Sequence, residues 1–228
     1  GELELINSIQ QGIASKLDFH AIVDMVGDKL REVFNSEDLS IRWWDDLADT
    51  WQRMYVVEHG THLDKGLPSP VPRNEPAWQI LHEGRGEYYG TRQEQLAAGI
   101  KGARPGTDWC LSIIGAPMRG ARRVLGMIVI ENHEREHAYG EADLRVLTTI
   151  GATLGQALEN AKLFDETQRL LKETEARNAE LAVINSIQQA VGAALDFQAI
   201  GRAVGEKLRD VFRTQDLSIT WWEEPTHQ

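Results

Sequence analysis

Residues 2–46 and 180–224 align without a gap, and 26 of their 45 positions are identical. The two copies start 178 residues apart, far too long a period for a solenoid and suited to whole domains in tandem. The second copy stops before a domain of the same kind is complete. The expected organisation is therefore one domain over residues 2–160, a connecting helix over 161–180, and the truncated start of a second domain over 181–228.

Within each copy the pattern reads helix, helix, strand. Ile6, Ile9 and Ile13 recur at helical spacing. After Asp18, a natural N-cap, Ile22, Val26, Leu30, Val33 and Phe34 form a second amphipathic stripe. Leu39, Ile41 and Trp43 then alternate with Ser40, Arg42 and Trp44, which is strand periodicity. The first set suits packing on helices and the second suits a polar-aromatic pocket. A further strand is expected over residues 51–58.

Residues 60–106 are rich in Gly and Pro, with short helices expected at 75–82 and 91–98. Two apolar strands, 111–118 and 124–132, follow around an Arg-Gly-Ala-Arg turn. From Glu141 to about Ala190 there is no proline, and Leu, Ala, Glu and Arg dominate. One helix of roughly 75 Å is expected there. Its first half carries Leu144, Leu147, Ile150, Leu154 and Leu158 as a core-facing stripe. Its second half thins to a seven-residue rhythm through Leu163, Leu170, Thr174, Leu181 and Ile184, expected of a weak two-stranded coiled coil. A helix that long without a partner is marginal in water, so homodimerisation through it is expected.

A formal net charge of -11 argues against nucleic acid and against anionic membranes, since both attract basic patches. The densest basic stretch, Arg119 to Arg123, reads as a solvated hairpin turn. Cys110 is the single cysteine, which excludes an internal disulfide and fits a reducing, cytoplasmic location. The longest apolar run, residues 124–130, is far short of the ~20 residues a spanning helix needs. A start at Gly1 and a stop in a polar tail are expected of a piece of a longer protein.

The order of elements, the segment "SIIGAPMRGARRVLGMIVIENH" and the run "YGEADLRVLTTIGATLGQALENAKLFDET" resemble the GAF family of small-molecule sensor domains over residues 2–165. The resemblance implies an α+β fold. Its antiparallel sheet would carry helices on one face and pocket-forming loops on the other, with a long helix after it. It also implies a regulatory rather than catalytic role. Tandem domains of this family commonly sit upstream of histidine kinases, nucleotide cyclases or phosphodiesterases.

Several sharper motifs were weighed against that frame. His133-Glu134-Arg135-Glu136-His137 matches the H-E-x-x-H zinc signature, but the chemistry needs both imidazoles on one helix, and here the motif reads as a charged loop after a strand. Neither a catalytic nor a metal-ligating set is expected. Cyclic-nucleotide-binding relatives have an Asn-Lys and Phe-x-x-x-Asp-Glu pattern, of which Asn132 and Tyr139-x-x-x-Asp143 keep half. Bilin-carrying relatives commonly use a cysteine followed by histidine, whereas Leu111 follows Cys110. A single cysteine also fails the thiol–disulfide cycle of the methionine-sulfoxide-reducing relatives. His59, in the Glu-His-Gly that closes the second strand, has the chemistry of a haem ligand, but its place is that of a surface turn residue. The expected ligand-binding residues are Trp44, Trp78, Tyr88, Tyr89 and Trp109, with Arg42 and Arg53 as anchors for a carboxylate or phosphate. The partners expected are a second copy and a small molecule of unknown identity; the cofactor is unknown.

Overall fold

A computed structural model describes residues 18–103, 107–193, 197–214 and 216–220. The chain divides into two compact units, Gly1–Asp165 and Glu166–Gln228. The expected helix around Ile6, Ile9 and Ile13 lies outside the described residues.

Helix α1 (Phe19–Phe34) begins where Asp18 Oδ1 accepts the Ala21 N–H at 2.7 Å and ends at Asn35, whose φ of 45° breaks the helical path. Its apolar stripe buries Ile22, Val23, Val26 and Leu30. Strands β1 (Asp38–Asp45) and β2 (Thr50–Glu58) form a hairpin. The two-residue strands β3 (Thr61–His62) and β4 (Ser69–Pro70) both pair with β2. Helix α2 (Pro76–Glu83), strand β5 (Glu87–Tyr89) and helix α3 (Arg92–Ala97) follow. Strands β6 (Ser112–Arg119) and β7 (Val124–Asn132) complete an antiparallel sheet in the order β3-β2-β1-β7-β6-β5. Helix α4 runs Glu141–Ala193 and helix α5 Phe197–Phe212.

Period-2 alternation divides the sheet into two apolar layers. Leu39, Ile41, Ile114, Ala116, Ile128 and Ile130 pack with α1 and with Leu147, Ile150, Leu154 and Leu158 of α4. On the opposite face, Trp44, Trp51, Val71, Met127 and Val129 pack with Ala77, Ile80 and Leu81 of α2. Residues 60–103 therefore roof the sheet, and the helices lie beneath it. Two glycines set how closely α4 approaches: a methyl group on Gly151 would stand 2.5 Å from the Pro117 carbonyl oxygen, and one on Gly155 would stand 2.4 Å from that of Arg119. Glu159, one turn further on, accepts the Ala121 N–H at 2.7 Å and pins the β6–β7 turn to the helix.

In the second unit, the α4 residues Leu170, Leu181 and Ile184 are each about half exposed. Ion pairs such as Arg177–Glu173 at 2.6 Å stud the same stretch. Helix α5 occupies the repeat positions of α1, and Arg213 at its end has φ 48°, matching Asn35. Of the strand expected after α5, residues 217–220 are irregular and the rest lies outside the described residues. Their counterparts in β1 are paired on both sides, by β2 and β7, and the second copy has no such partner strands among the described residues. Among the described residues, no helix is long and apolar enough to cross a membrane.

Candidate functional site

Between the roof and the upper face of the sheet lies a cavity of about 80 Å³. Its floor is Arg42 of β1, Ile113 and Gly115 of β6, and Met127, Val129 and Glu131 of β7. Ile80 of α2, Glu87 and Tyr89 of β5, and Trp109 in the segment before β6 supply its sides.

The wall carrying Trp109 is held by one amide. Gln95 is fully buried, and its Nε2 donates to the carbonyls of Cys110 at 3.4 Å and Leu111 at 3.2 Å. Its Oε1 accepts the indole N–H of Trp109 at 2.9 Å. Arg92 reinforces the segment by donating to the Trp109 carbonyl at 2.6 Å, with its guanidinium 5.4 Å from the indole centroid. Helix α3 presents both residues because Thr91 Oγ1 caps it, accepting the Glu94 N–H at 3.1 Å.

On the floor, the Arg42 guanidinium lies 4.5 Å from the Trp51 ring centroid while Nε donates to Ser40 Oγ at 3.2 Å. Stacking on the indole helps fix the direction of the guanidinium. Tyr89 donates its hydroxyl to Glu87, and burial first, then that carboxylate, holds the phenol well above its ordinary range. Burial likewise pushes the Cys110 thiol far up, and the charge of Glu131 adds to it. Tyr89 and Cys110 are therefore neutral at physiological pH. The site offers a cation, carboxylates, hydrogen-bonding groups and aromatic faces.

Of the residues singled out in the sequence, Arg42, Tyr89 and Trp109 meet at this cavity. Arg53 borders a smaller adjoining one with Ser40, Glu58 and Thr107. Trp44 and Trp78 lie elsewhere, on either side of His82: Trp78 stacks on its ring at 4.1 Å and Trp44 tilts against it at 4.7 Å. Tyr88 points away and is exposed. Gln95 and Glu87 on short elements, and Glu131 at the polar end of β7, are not legible as site residues, since such side chains look solvated in a sequence.

The H-E-x-x-H residues are in a connecting loop, and no helix aligns the two imidazoles. The His137 N–H donates to the Gly90 carbonyl at 2.7 Å, whereas His133 lies against Asp38 and Glu131.

A helix-backed antiparallel sheet with a roofed cavity on its other face defines an α+β regulatory domain. The chain belongs to the GAF domain family, whose profile matches residues 16–159, more than half of its length. No curated protein matches it. Among solved structures, the GAF domain of a phosphoenolpyruvate-protein phosphotransferase from Coxiella burnetii is similar with a TM-score of 0.61 at 15% identity, covering 72% of this chain and 96% of that one. A methyl-accepting chemotaxis protein (residues 122 to 287) gives 0.59 at 12% identity, covering 68% and 98%. The phycocyanobilin-bound GAF domain of a cyanobacterial phytochrome gives 0.56 at 12%, covering 72% and 96%. At these identities the likeness is one of fold. GAF domains are known as sensory and regulatory modules of signalling proteins.

Proposed function

We propose that the chain is the sensory part of a cytoplasmic signalling protein, that it binds a small molecule in the roofed cavity, and that it relays occupancy through α4 paired with a second copy. The observation that carries this reading is the cavity itself, where an aimed cation, two aromatic side chains and fixed hydrogen-bonding groups converge. Arg42 would hold an anionic group, and Tyr89 and Trp109 would flank the rest. The space is small, about 80 Å³, so the fitting ligand is a small molecule unless the roof opens. Arg53 would act from the adjoining cavity, and Trp44, Trp78 and Tyr88 would act only through such an opening.

Pairing of α4 is supported by the half-exposed Leu170, Leu181 and Ile184 on a helix that has few other means of stability. The repeat supports a tandem arrangement in which the segment after residue 180 opens a second domain of the same kind. A second reading, a dimerisation module whose cavity takes no ligand, draws on the small size of that space. Native mass spectrometry separates the two. A dimer carrying extra mass supports the sensor, a dimer of bare mass under ligand screening supports the second reading, and a monomer overturns the relay.

A further inference from the structure

At the C-terminal end of β2, next to the wall that carries Trp109, three ligand-type atoms from Glu58, His59 and Asp108 lie within 4.8 Å of one another. His59 Nε2 and Asp108 Oδ2 are 3.1 Å apart. Donors about 2.0–2.2 Å from a zinc-like ion stand roughly 3.0–3.4 Å from each other, so that spacing suits two ligands of one cation. Glu58 is buried, and one of its oxygens accepts the Asp108 N–H at 2.6 Å, which leaves the other oxygen for a ligand.

The surroundings are built as a metal site's are. Asp38 Oδ1 accepts the His59 backbone N–H at 2.7 Å, which fixes where the turn presents the imidazole, and lies 3.9 Å from Nδ1 as a near charge rather than a hydrogen-bond partner. A second imidazole stands beside the cluster. His133 faces His59 with ring centroids 4.8 Å apart; its side chain is 11% exposed, and Nε2 is sealed from solvent without a hydrogen-bond partner among the described residues. That nitrogen stands 3.8 Å from the same Asp38 oxygen and 3.8 Å from Glu131 Oε2. Two imidazoles among Asp38, Glu58, Asp108 and Glu131 form a mixed nitrogen–oxygen set, which favours borderline transition metals over calcium or magnesium.

We propose that Glu58, His59 and Asp108 bind a divalent transition-metal cation of the zinc type, with Asp38 orienting His59 and His133 completing the surroundings. Glu58 and His59 close β2, whereas Asp108 adjoins Trp109 in the cavity wall. The ion therefore fastens the wall of the cavity to the sheet. The binding step stands without the sensor reading; only the consequence for ligand entry rests on it.

The test is titration of the EDTA-stripped full chain with zinc chloride by calorimetry, with no small molecule present. One ion per chain is expected. His59→Gln and Asp108→Asn, both at exposed positions, should each weaken binding by about tenfold or more, with circular dichroism unchanged. His137→Gln should bind as the parent does. Hydrogen exchange at residues 107–111 should slow on adding zinc. Zinc bound equally well by H59Q and D108N, or no binding at about 100 µM, overturns the site. Binding that leaves exchange at 107–111 unaltered overturns the fastening role.

Discussion

The side-chain oxygen of Gln95 accepts the indole N–H of Trp109 at 2.9 Å, and through this contact a six-residue helix holds the wall of the cavity. The same amide serves two main-chain carbonyls, so its removal takes the partner from the Trp109 indole N–H and the Leu111 carbonyl, while the Cys110 carbonyl keeps the Arg92 Nε–H at 3.3 Å. Gln95→Ala should cost roughly 2–4 kcal/mol, since a buried donor or acceptor left unmet costs about 1–3 kcal/mol. Urea denaturation gives the magnitude. Trp109 should also move toward water, seen as a red shift of emission in Q95A.

Gly155 tests the approach of α4 to the sheet. Gly155→Ala places a methyl group against the Arg119 main chain, which cannot rotate aside, and should lower stability by about 1–3 kcal/mol. Gly201 of α5 has open space around it. There the same change should be neutral or gain up to about 1 kcal/mol through helix propensity. Thermal melts of the two variants moving in the same direction would refute this.

Alkaline pH should weaken the fold in two stages. The Cys110 thiol is raised from 9.0, and Tyr55 and Tyr139 are pushed from 10.0 up to about 12, burial being the leading cause for each. Below pH 9 these groups are protonated in both states and stability is complete. Above it the unfolded chain releases protons that the folded chain keeps, and stability falls by up to about 1.4 kcal/mol per pH unit for each group. Cys110→Ala should remove the first stage and keep the second, beginning near pH 10. Denaturation midpoints flat from pH 8 to 11 would contradict this. The native thiol should also resist alkylation at pH 8 and react freely in guanidinium.

Ligand capture is expected to depend on the direction of the Arg42 charge. Arg42→Gln should weaken binding of a small carboxylate about tenfold or more, whereas Arg53→Gln in the adjoining cavity should have a smaller effect. Calorimetry on a panel of short carboxylates and phosphates measures both, and equal losses would shift the proposed anchor.

Pairing of α4 can be broken from its exposed positions. Leu170→Glu together with Leu181→Glu should convert a dimer to a monomer in light scattering, while circular dichroism of the first unit stays as in the parent. A change in mass without a change in fold is the expected result, because both leucines lie beyond Asp165.

Long periodic elements were legible in the sequence. Helix α1, strands β1, β6 and β7 and the course of α4 each repeat their pattern often enough to fix the element and its buried face. The strands β3, β4 and β5 have two or three residues, too few to show an alternation. The cavity was legible in kind more than in membership. Alternation places Arg42 and Trp44 on one face of β1, but not at the same place along the sheet, and a bulge between Ile41 and Arg42 shifts the register with β2 there. Trp44 thus meets His82 and Asp49, while Arg42 faces the cavity. Residue type drew attention to aromatics and arginines; Gln95 and Glu131 gained importance only through contacts distant in sequence.

The glycine pair of α4 has a mechanical meaning. Strand β6 carries Ile113 and Gly115 on the cavity floor, and a few residues further its main chain touches Gly151 and Gly155 directly. Larger side chains at those points would act as a cushion that absorbs small displacements by changing rotamer. With none present, strand and helix mesh like gears without backlash, and a displacement of a few tenths of an ångström at the floor has nowhere to dissipate before it reaches the helix.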